Sequence, residues 1–378
     1  MKIGVITFWQ SEDNYGQQLQ CWALQRFLKN EGHDVFLIRY DFANRIVGNG
    51  LKNAVKRCLV YRFTKTILKR CCSFRTGYKS RGFNKFRKEN ITMSKRTYRS
   101  LLCLKKEPPF CDVYIAGSDQ IWSQLLTIEE NEVFYLNFGN KKTKRISYAP
   151  SFARNEYPET ILPSLKKMLQ NFDAVSVRDE SSQRICQTVD IAAVKVLDPT
   201  LLLAKDEYFS LGKETSFHQR NNDVFIYSLN IDNPKAMRFD ELKQLCVEYD
   251  MDCIATASGG YIPAKEFLPV KYVYPTIGEW ISYIKNASFV VTPSFHGIVF
   301  CLIMHTPFVY IPLKGRFSRG NDRVFDLLRN LSLDSRILLD DISYKEIFLN
   351  PIDWQAVDVG IRRMQESSIN FLLSSIYD

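Results

Sequence analysis

Short, very apolar runs recur along this chain, and each closes on a polar turn before an amphipathic stretch begins. That rhythm constrains the fold more than any other feature. Ile3-Gly4-Val5-Ile6-Thr7-Phe8 reads as a strand, a polar loop leads to Tyr15-Gly16, Gln17 to Asn30 carries apolar residues at helical spacing, and Val35-Phe36-Leu37-Ile38 is the next strand after the stop at Gly32. This is a βαβ unit. Further buried strands are expected at 113–116, 145–148, 174–177 and 194–197, with a helix over 180–186. A second series starts near residue 223, with strands at 224–227, 252–255, 289–291 and 308–311 and helices around 238–248, 277–285 and 297–304. The expected architecture is α/β, with two Rossmann-like doubly wound domains facing a cleft. The first spans 1–205 and carries a basic helical insertion over 52–106, the second spans 206–350, and 351–378 forms a C-terminal helix.

The length of 378 residues fits two domains, and 46% hydrophobic with 24% charged residues is an ordinary globular balance. No run approaches the ~20 apolar residues of a spanning helix, and the amino terminus reads as a strand rather than a signal peptide. The expected location is therefore cytoplasmic. Ten cysteines lie scattered without a CxxC pair or metal-spaced histidines, which points to a reducing compartment and no metal site. Adjacent Cys71 and Cys72 are assigned no role.

Charge is distributed unevenly. Between Lys52 and Lys106 lie eighteen Lys/Arg and one acid, Glu89, more than the whole chain's net +10. Aromatic and aliphatic residues are interleaved there, among them Leu59, Tyr61, Phe63, Phe74, Tyr78, Phe83 and Phe86. Such a segment suits a solvated helical insertion, or a basic amphipathic surface resting on anionic lipid, which would make the protein peripheral on the inner face of the membrane. Nucleic acid fits the charge but lacks any RNP, zinc-finger or helix-turn-helix pattern, so it is disfavoured as a partner.

Open parallel sheets bind ligands beyond the carboxyl ends of their strands. The residues there are Asp13-Asn14-Tyr15-Gly16, Gly117-Ser118-Asp119-Gln120, Arg178-Asp179, Asp198-Pro199-Thr200, Ser258-Gly259-Gly260 and Thr292-Pro293-Ser294-Phe295-His296-Gly297. Ser118, Asp179 and Thr292 are also good helix caps. His296 sits where a strand runs into a helix, a place for anion recognition or general-acid work. His33, His218 and His305 have no such context. Arg178 is suited to holding a carboxylate or phosphate, with a salt bridge to Asp179 or Glu180 as the plain alternative. Arg316, Arg319 and Arg323 form a second candidate anion clamp, and Asp119 and Asp198 are the best-placed carboxylates for deprotonating a hydroxyl. No P-loop, dinucleotide fingerprint, zincin motif or nucleophile elbow is present.

Taken together, Asn14-Tyr15-Gly16-Gln17-Gln18-Leu19-Gln20-Cys21-Trp22-Ala23-Leu24, Gly117-Ser118-Asp119-Gln120-Ile121-Trp122, Ser176-Val177-Arg178-Asp179, Leu197-Asp198-Pro199-Thr200 and Ser294-Phe295-His296-Gly297 resemble the polysaccharide pyruvyl transferase family over roughly residues 1 to 330. The resemblance implies a fold similar to GT-B glycosyltransferases and transfer of the pyruvyl group of phosphoenolpyruvate, as a ketal, onto two hydroxyls of a bacterial surface saccharide, often carried on a polyprenyl lipid. It needs no cofactor beyond phosphoenolpyruvate as donor. It makes His296 the acid that protonates the enol methylene and Arg178 a holder of the donor's negative groups. The shared motifs also place Asn14, Tyr15, Asp198, Ser294 and Gly297 at the substrate. Many members have arginine where this chain has Ser294, so Arg319 or Arg323 is expected to stand in. Two alternatives share the fold: a glycosyltransferase using a nucleotide sugar, and a non-catalytic scaffold of a polysaccharide assembly complex.

Overall fold

The computed structural model describes residues 1–42, 81–123, 129–212, 222–229, 237–258 and 271–378. Its first sheet is wholly parallel, in the order β3-β2-β1-β4-β5, from β1 (Lys2–Ile6), β2 (Asp34–Tyr40), β3 (Met93–Tyr98), β4 (Val113–Asp119) and β5 (Lys144–Pro150). A two-stranded extension, β6 (Ser176–Val177) with β7 (Val194–Lys195), continues beside β5 through a parallel bridge between Ile146 and Ala174. The second sheet repeats the plan as β10-β9-β8-β11-β12, from β8 (Asp223–Leu229), β9 (Asp252–Ser258), β10 (Lys271–Tyr272), β11 (Phe289–Thr292) and β12 (Phe308–Tyr310). Strands buried on both faces, such as Val290 and Val291 of β11, explain the unbroken apolar runs in the sequence.

In each sheet the strand order reverses beside its first strand, between β1 and β4 and between β8 and β11. Parallel sheets open a ligand crevice at such a point. The ends of β4 and β11 are Asp119 and Thr292, so topology alone aims both halves at the turns singled out above.

Among the described residues, the α-helices of the first half are α1 (Tyr15–Asn30), α2 (Phe83–Asn90), α3 (Leu101–Lys106), α4 (Leu162–Leu169), α5 (Glu180–Thr188) and α6 (Lys205–Phe209). Those that follow are α7 (Phe239–Glu248), α8 (Ile277–Asn286), α9 (Phe295–Met304), α10 (Asp322–Asn330), α11 (Tyr344–Leu349) and α12 (Trp354–Tyr377). Local sequence sets several starts. The Asn14 side chain accepts from the Gln17 amide at the head of α1, Thr276 and Glu279 form a capping box on α8, and Asp179 caps α5. The buried residues of α12, Val357, Ile361, Ser368, Leu372 and Ile376, recur at helical spacing. That face packs back on the first half: Ser368 Oγ accepts from the Leu197 amide at 2.9 Å, and Gln365 donates to the Leu201 carbonyl.

The basic segment needs correction. Its described part, 81–106, is not a helical insertion. It supplies α2, the edge strand β3 and α3, so it is built into the first domain. Phe83 is buried against Tyr15, and Arg87 donates to the Ser11 carbonyl at 2.6 Å, which takes both away from any membrane face. The rest, 52–80, lies outside the described residues, as do His218 and Gly259-Gly260. Among the described residues no helix is long and apolar enough to cross a membrane.

The two halves share one apolar cluster that includes Leu19, Trp22, Tyr208, Trp280 and Phe300. Tyr15 stacks on Trp280 with centroids 5.0 Å apart and donates to the Pro275 carbonyl at 2.7 Å. Ser258 Oγ donates to the Asp13 carbonyl, and Arg81 reaches the Ala257 carbonyl at 2.6 Å. The cleft walls are therefore held in register by packing and by hydrogen bonds across the boundary.

Candidate active site

Asp198 is the hub. Its side chain is fully buried three residues after β7. One carboxylate oxygen accepts from the Thr200 amide at 3.0 Å and the Thr200 hydroxyl at 2.7 Å. The other accepts from Arg178 Nη1 at 2.7 Å and Ser118 Oγ at 3.1 Å, with His296 Nε2 3.5 Å away. Burial on its own would raise the Asp198 pKa, but His296 and Arg178 outweigh it and hold the carboxyl well below the usual carboxylate range. A carboxylate this acidic and this fully bonded is a fixed counter-charge and a poor base, which removes one of the two candidates for hydroxyl deprotonation.

Arg178 leaves β6 with its side chain 2% exposed. Neither Asp179 nor Glu180 is its partner: Asp179 is occupied as the cap of α5, and Nη1 goes to Asp198. Nη2 lies 3.8 Å from Asp119 Oδ1, beyond hydrogen bonding, and both Nη2 and Nε are buried without a hydrogen-bond partner. The guanidinium stands 4.8 Å over the ring of Phe295, and that of Arg323, from α10 in the second half, stands 5.3 Å over the same ring. Burial, and then the charge of Arg178, push Arg323 down to about 10, and its Nε is also buried without a partner. Two arginines from opposite halves thus converge on one phenyl ring with hydrogen-bonding capacity in reserve. Buried polar groups are ordinarily satisfied, and guanidinium nitrogens left open in this way are chemically suited to an anion.

His296 lies in the first turn of α9, which begins at Phe295 rather than at Gly297 as the sequence suggested. Ser294, not Thr292, is the cap, its hydroxyl accepting from the Gly297 amide at 3.2 Å. Thr292 Oγ1 instead accepts from the Ser294 amide and donates to the Tyr227 carbonyl, locking the turn from below. Gly297 permits that closeness, since a Cβ there would come 2.6 Å from Thr292 Oγ1. His296 Nε2 has no hydrogen-bond partner, and the ring rests on Gly16, where a Cβ would meet Nδ1 at 2.1 Å. The glycine at the head of α1 is what lets the imidazole reach across from the second half.

Asp119 ends β4 with φ +72°, in the left-handed region that Asp tolerates better than most residues, and its side chain is 13% exposed. Its neighbour Ser118 does not cap a helix; it holds Asp198 and takes the amide oxygen of buried Gln20 on its own N–H at 3.2 Å. Alongside the cluster lies a cavity of about 110 Å³, its lining including Arg178, Asp198, Phe295, Arg323, Lys195 and Asp326.

The sequence candidates therefore divide. Asp119, Arg178, Asp198, His296 and Arg323 come together, while Ser294 and Gly297 shape the turn that carries the histidine. Asn14 spends its side chain on capping α1, Tyr15 is sealed in the domain interface, and Arg319 is exposed. Gly16, Gln20, Ser118 and Phe295 were not singled out as site residues. A glutamine on the apolar face of α1 was the one available signal for Gln20. His33 approaches the chain's own amino terminus, and His305 pairs with Asp358 at 2.8 Å, both away from the cluster.

Two parallel α/β domains meeting at paired switch points form a GT-B-like fold. The polysaccharide pyruvyl transferase profile matches residues 14–315, and the chain belongs to that family, among transferases of polysaccharide biosynthesis. Solved structures agree on the fold. A Listeria monocytogenes chain assigned as a UDP-N-acetylglucosamine 2-epimerase superposes with TM-score 0.54 at 7% identity, covering 97% of this chain and 90% of that one. The UDP-GlcNAc 2-epimerase of Neisseria meningitidis bound to UDP-GlcNAc gives 0.52 at 9% identity, covering 99% and 100%. That of Methanocaldococcus jannaschii with UDP-GlcNAc and UDP gives 0.50 at 14%, also covering 99% and 100%. No curated protein matches the sequence.

Proposed function

We propose that the protein transfers the pyruvyl group of phosphoenolpyruvate onto two hydroxyls of a saccharide, forming a ketal and releasing phosphate. The observation that carries this reading is the set of buried nitrogens that make no hydrogen bond, Nε and Nη2 of Arg178, Nε of Arg323 and Nε2 of His296, held around Asp198 and Phe295. A donor bearing both a carboxylate and a phosphate uses two guanidiniums, and bidentate capture suits each. His296 delivers a proton to the methylene carbon, which becomes the methyl group and leaves a cationic centre at the adjacent carbon. One sugar hydroxyl adds there while Asp119 takes its proton; the second hydroxyl then displaces phosphate, which departs with the remaining proton. Asp198 stays ionised throughout, balancing Arg178 and the imidazolium.

The acceptor in this reading is a surface-polymer saccharide, carried on a polyprenyl lipid. Residues 52–80 hold nine Lys/Arg and no acid, a charge suited to keeping the enzyme at an anionic leaflet. Flotation with anionic vesicles is expected at low salt and lost at high salt; failure to float at any salt rejects that part. The nucleotide-sugar alternative rests on fold likeness alone. Thermal unfolding separates them, because a ligand that binds the native state raises its midpoint. Phosphoenolpyruvate is expected to raise it and UDP-GlcNAc to leave it in place, and the reverse overturns the proposal. Asp119→Asn is expected to keep the phosphoenolpyruvate shift and lose phosphate release; full turnover in that variant removes Asp119 as base.

A further inference from the structure

Far from the crevice, at the opposite end of the second sheet, two thiols meet. Cys246 lies near the end of α7 and Cys253 is the second residue of β9, and their sulfurs are 2.7 Å apart. The turn between them is tight, with the Met251 amide donating to the Cys246 carbonyl at 2.8 Å and Asp250 at φ +52°. Both side chains belong to the apolar layer under α7, where Tyr249 packs on Phe348. Cys246 is 6% exposed and Cys253 is half-buried. The CxxC pattern sought in the sequence misses them because helix, turn and strand intervene.

We propose that Cys246 and Cys253 form a dithiol modification site, oxidised to an intramolecular disulfide by hydroperoxides and restored by dithiol reductants. Donation from the Cys253 S–H lowers the pKa of Cys246, while that interaction, burial and the charges of Asp252 and Asp223 raise Cys253. The Cys246 thiolate is therefore the attacking group. It attacks one peroxide oxygen; a sulfur–oxygen bond forms as the oxygen–oxygen bond breaks, and the leaving hydroxide takes a proton to become water. The Cys253 sulfur then attacks the sulfenic sulfur, expelling a second water as the disulfide forms. Two thiols lose two protons and two electrons, and one hydrogen peroxide becomes two waters. The remaining described cysteines, 21, 103, 111, 186 and 301, are free thiols, all buried except the half-buried Cys103.

The test treats the intact chain with hydrogen peroxide under native conditions and maps peptides without reduction. A cross-linked peptide joining Cys246 and Cys253, two hydrogen masses lighter than its parts and cleaved by dithiothreitol, is expected. The Cys253→Ser variant lacks a resolving thiol, so dimedone should then trap Cys246 as the sulfenic acid. Recovery of both cysteines in separate reduced peptides from the wild type, or cross-links that join either to another cysteine instead, overturns the proposal.

Discussion

The two halves of the molecule share a fold plan and bring different equipment to the crevice. The first half contributes Asp198, every oxygen of which is engaged, and an arginine already committed through one nitrogen. The second contributes His296 and Arg323, each with a buried nitrogen that no protein group satisfies. The contrast is between a prepaid electrostatic frame and groups held in reserve for a ligand. Preorganised charge is most effective when it needs no rearrangement during reaction, and Asp198 meets that condition by being locked from four directions. Arg178 belongs to both sets, anchored at one end and open at the other.

This contrast can be broken most forcefully at the frame. Asp198→Asn removes the nearer and fully buried counter-charge of Arg178, leaving only Asp119 at 3.8 Å, and the loss of one partner of a buried pair costs about 3–5 kcal/mol. Chemical denaturation should show it, and an unchanged midpoint would remove Asp198 from the hub. The same carboxyl gives an acid limb to stability. Its pKa is lowered on folding, so its contribution is complete above the unfolded value of 3.8 and drains away as the pH falls below that toward the much lower folded value. Asp198→Asn should lack that limb in acid titrations followed by circular dichroism.

Gly16→Ala sharpens the contrast from the other side, because the new Cβ occupies the place of the imidazole. Misplacement of a reacting group by an ångström costs on the order of 100-fold in rate, so phosphate release should fall by that much, and a rate within a few-fold of wild type would show the histidine free to work elsewhere. Arg319→Ala is the smallest expected effect. An exposed side chain outside the cluster should change stability by no more than about 0.5 kcal/mol and leave phosphoenolpyruvate affinity as it was; a clear loss of affinity would bring the whole 316–323 loop back into the site.

The sheets were legible because strands buried on both faces write themselves as apolar runs, and β8, β9 and β11 fall where Val224, Ile254 and Val290 placed them. β3 was not, since Met93 to Tyr98 is an edge strand with exposed Lys, Arg and Thr positions and reads as part of a basic stretch. His296 and Arg178 could be found from their places at strand ends. The division of labour between Asp119 and Asp198 could not, because it depends on Thr200, Ser118 and Arg178 folding around one of them. Arg323 and Arg319 are equivalent in sequence, and only the start of α10 turns one inward to Phe295 while the other stays in solvent.

The most direct measurement is calorimetric titration of phosphoenolpyruvate into wild type and Arg323→Gln. A buried hydrogen bond to a charged group contributes about 1.5–3 kcal/mol, so the variant should bind roughly 10- to 100-fold more weakly while unfolding as cooperatively as the wild type. Equal affinity in the two proteins, or no phosphoenolpyruvate binding to the wild type, would contradict the claim that arginines from both halves close on one anionic donor.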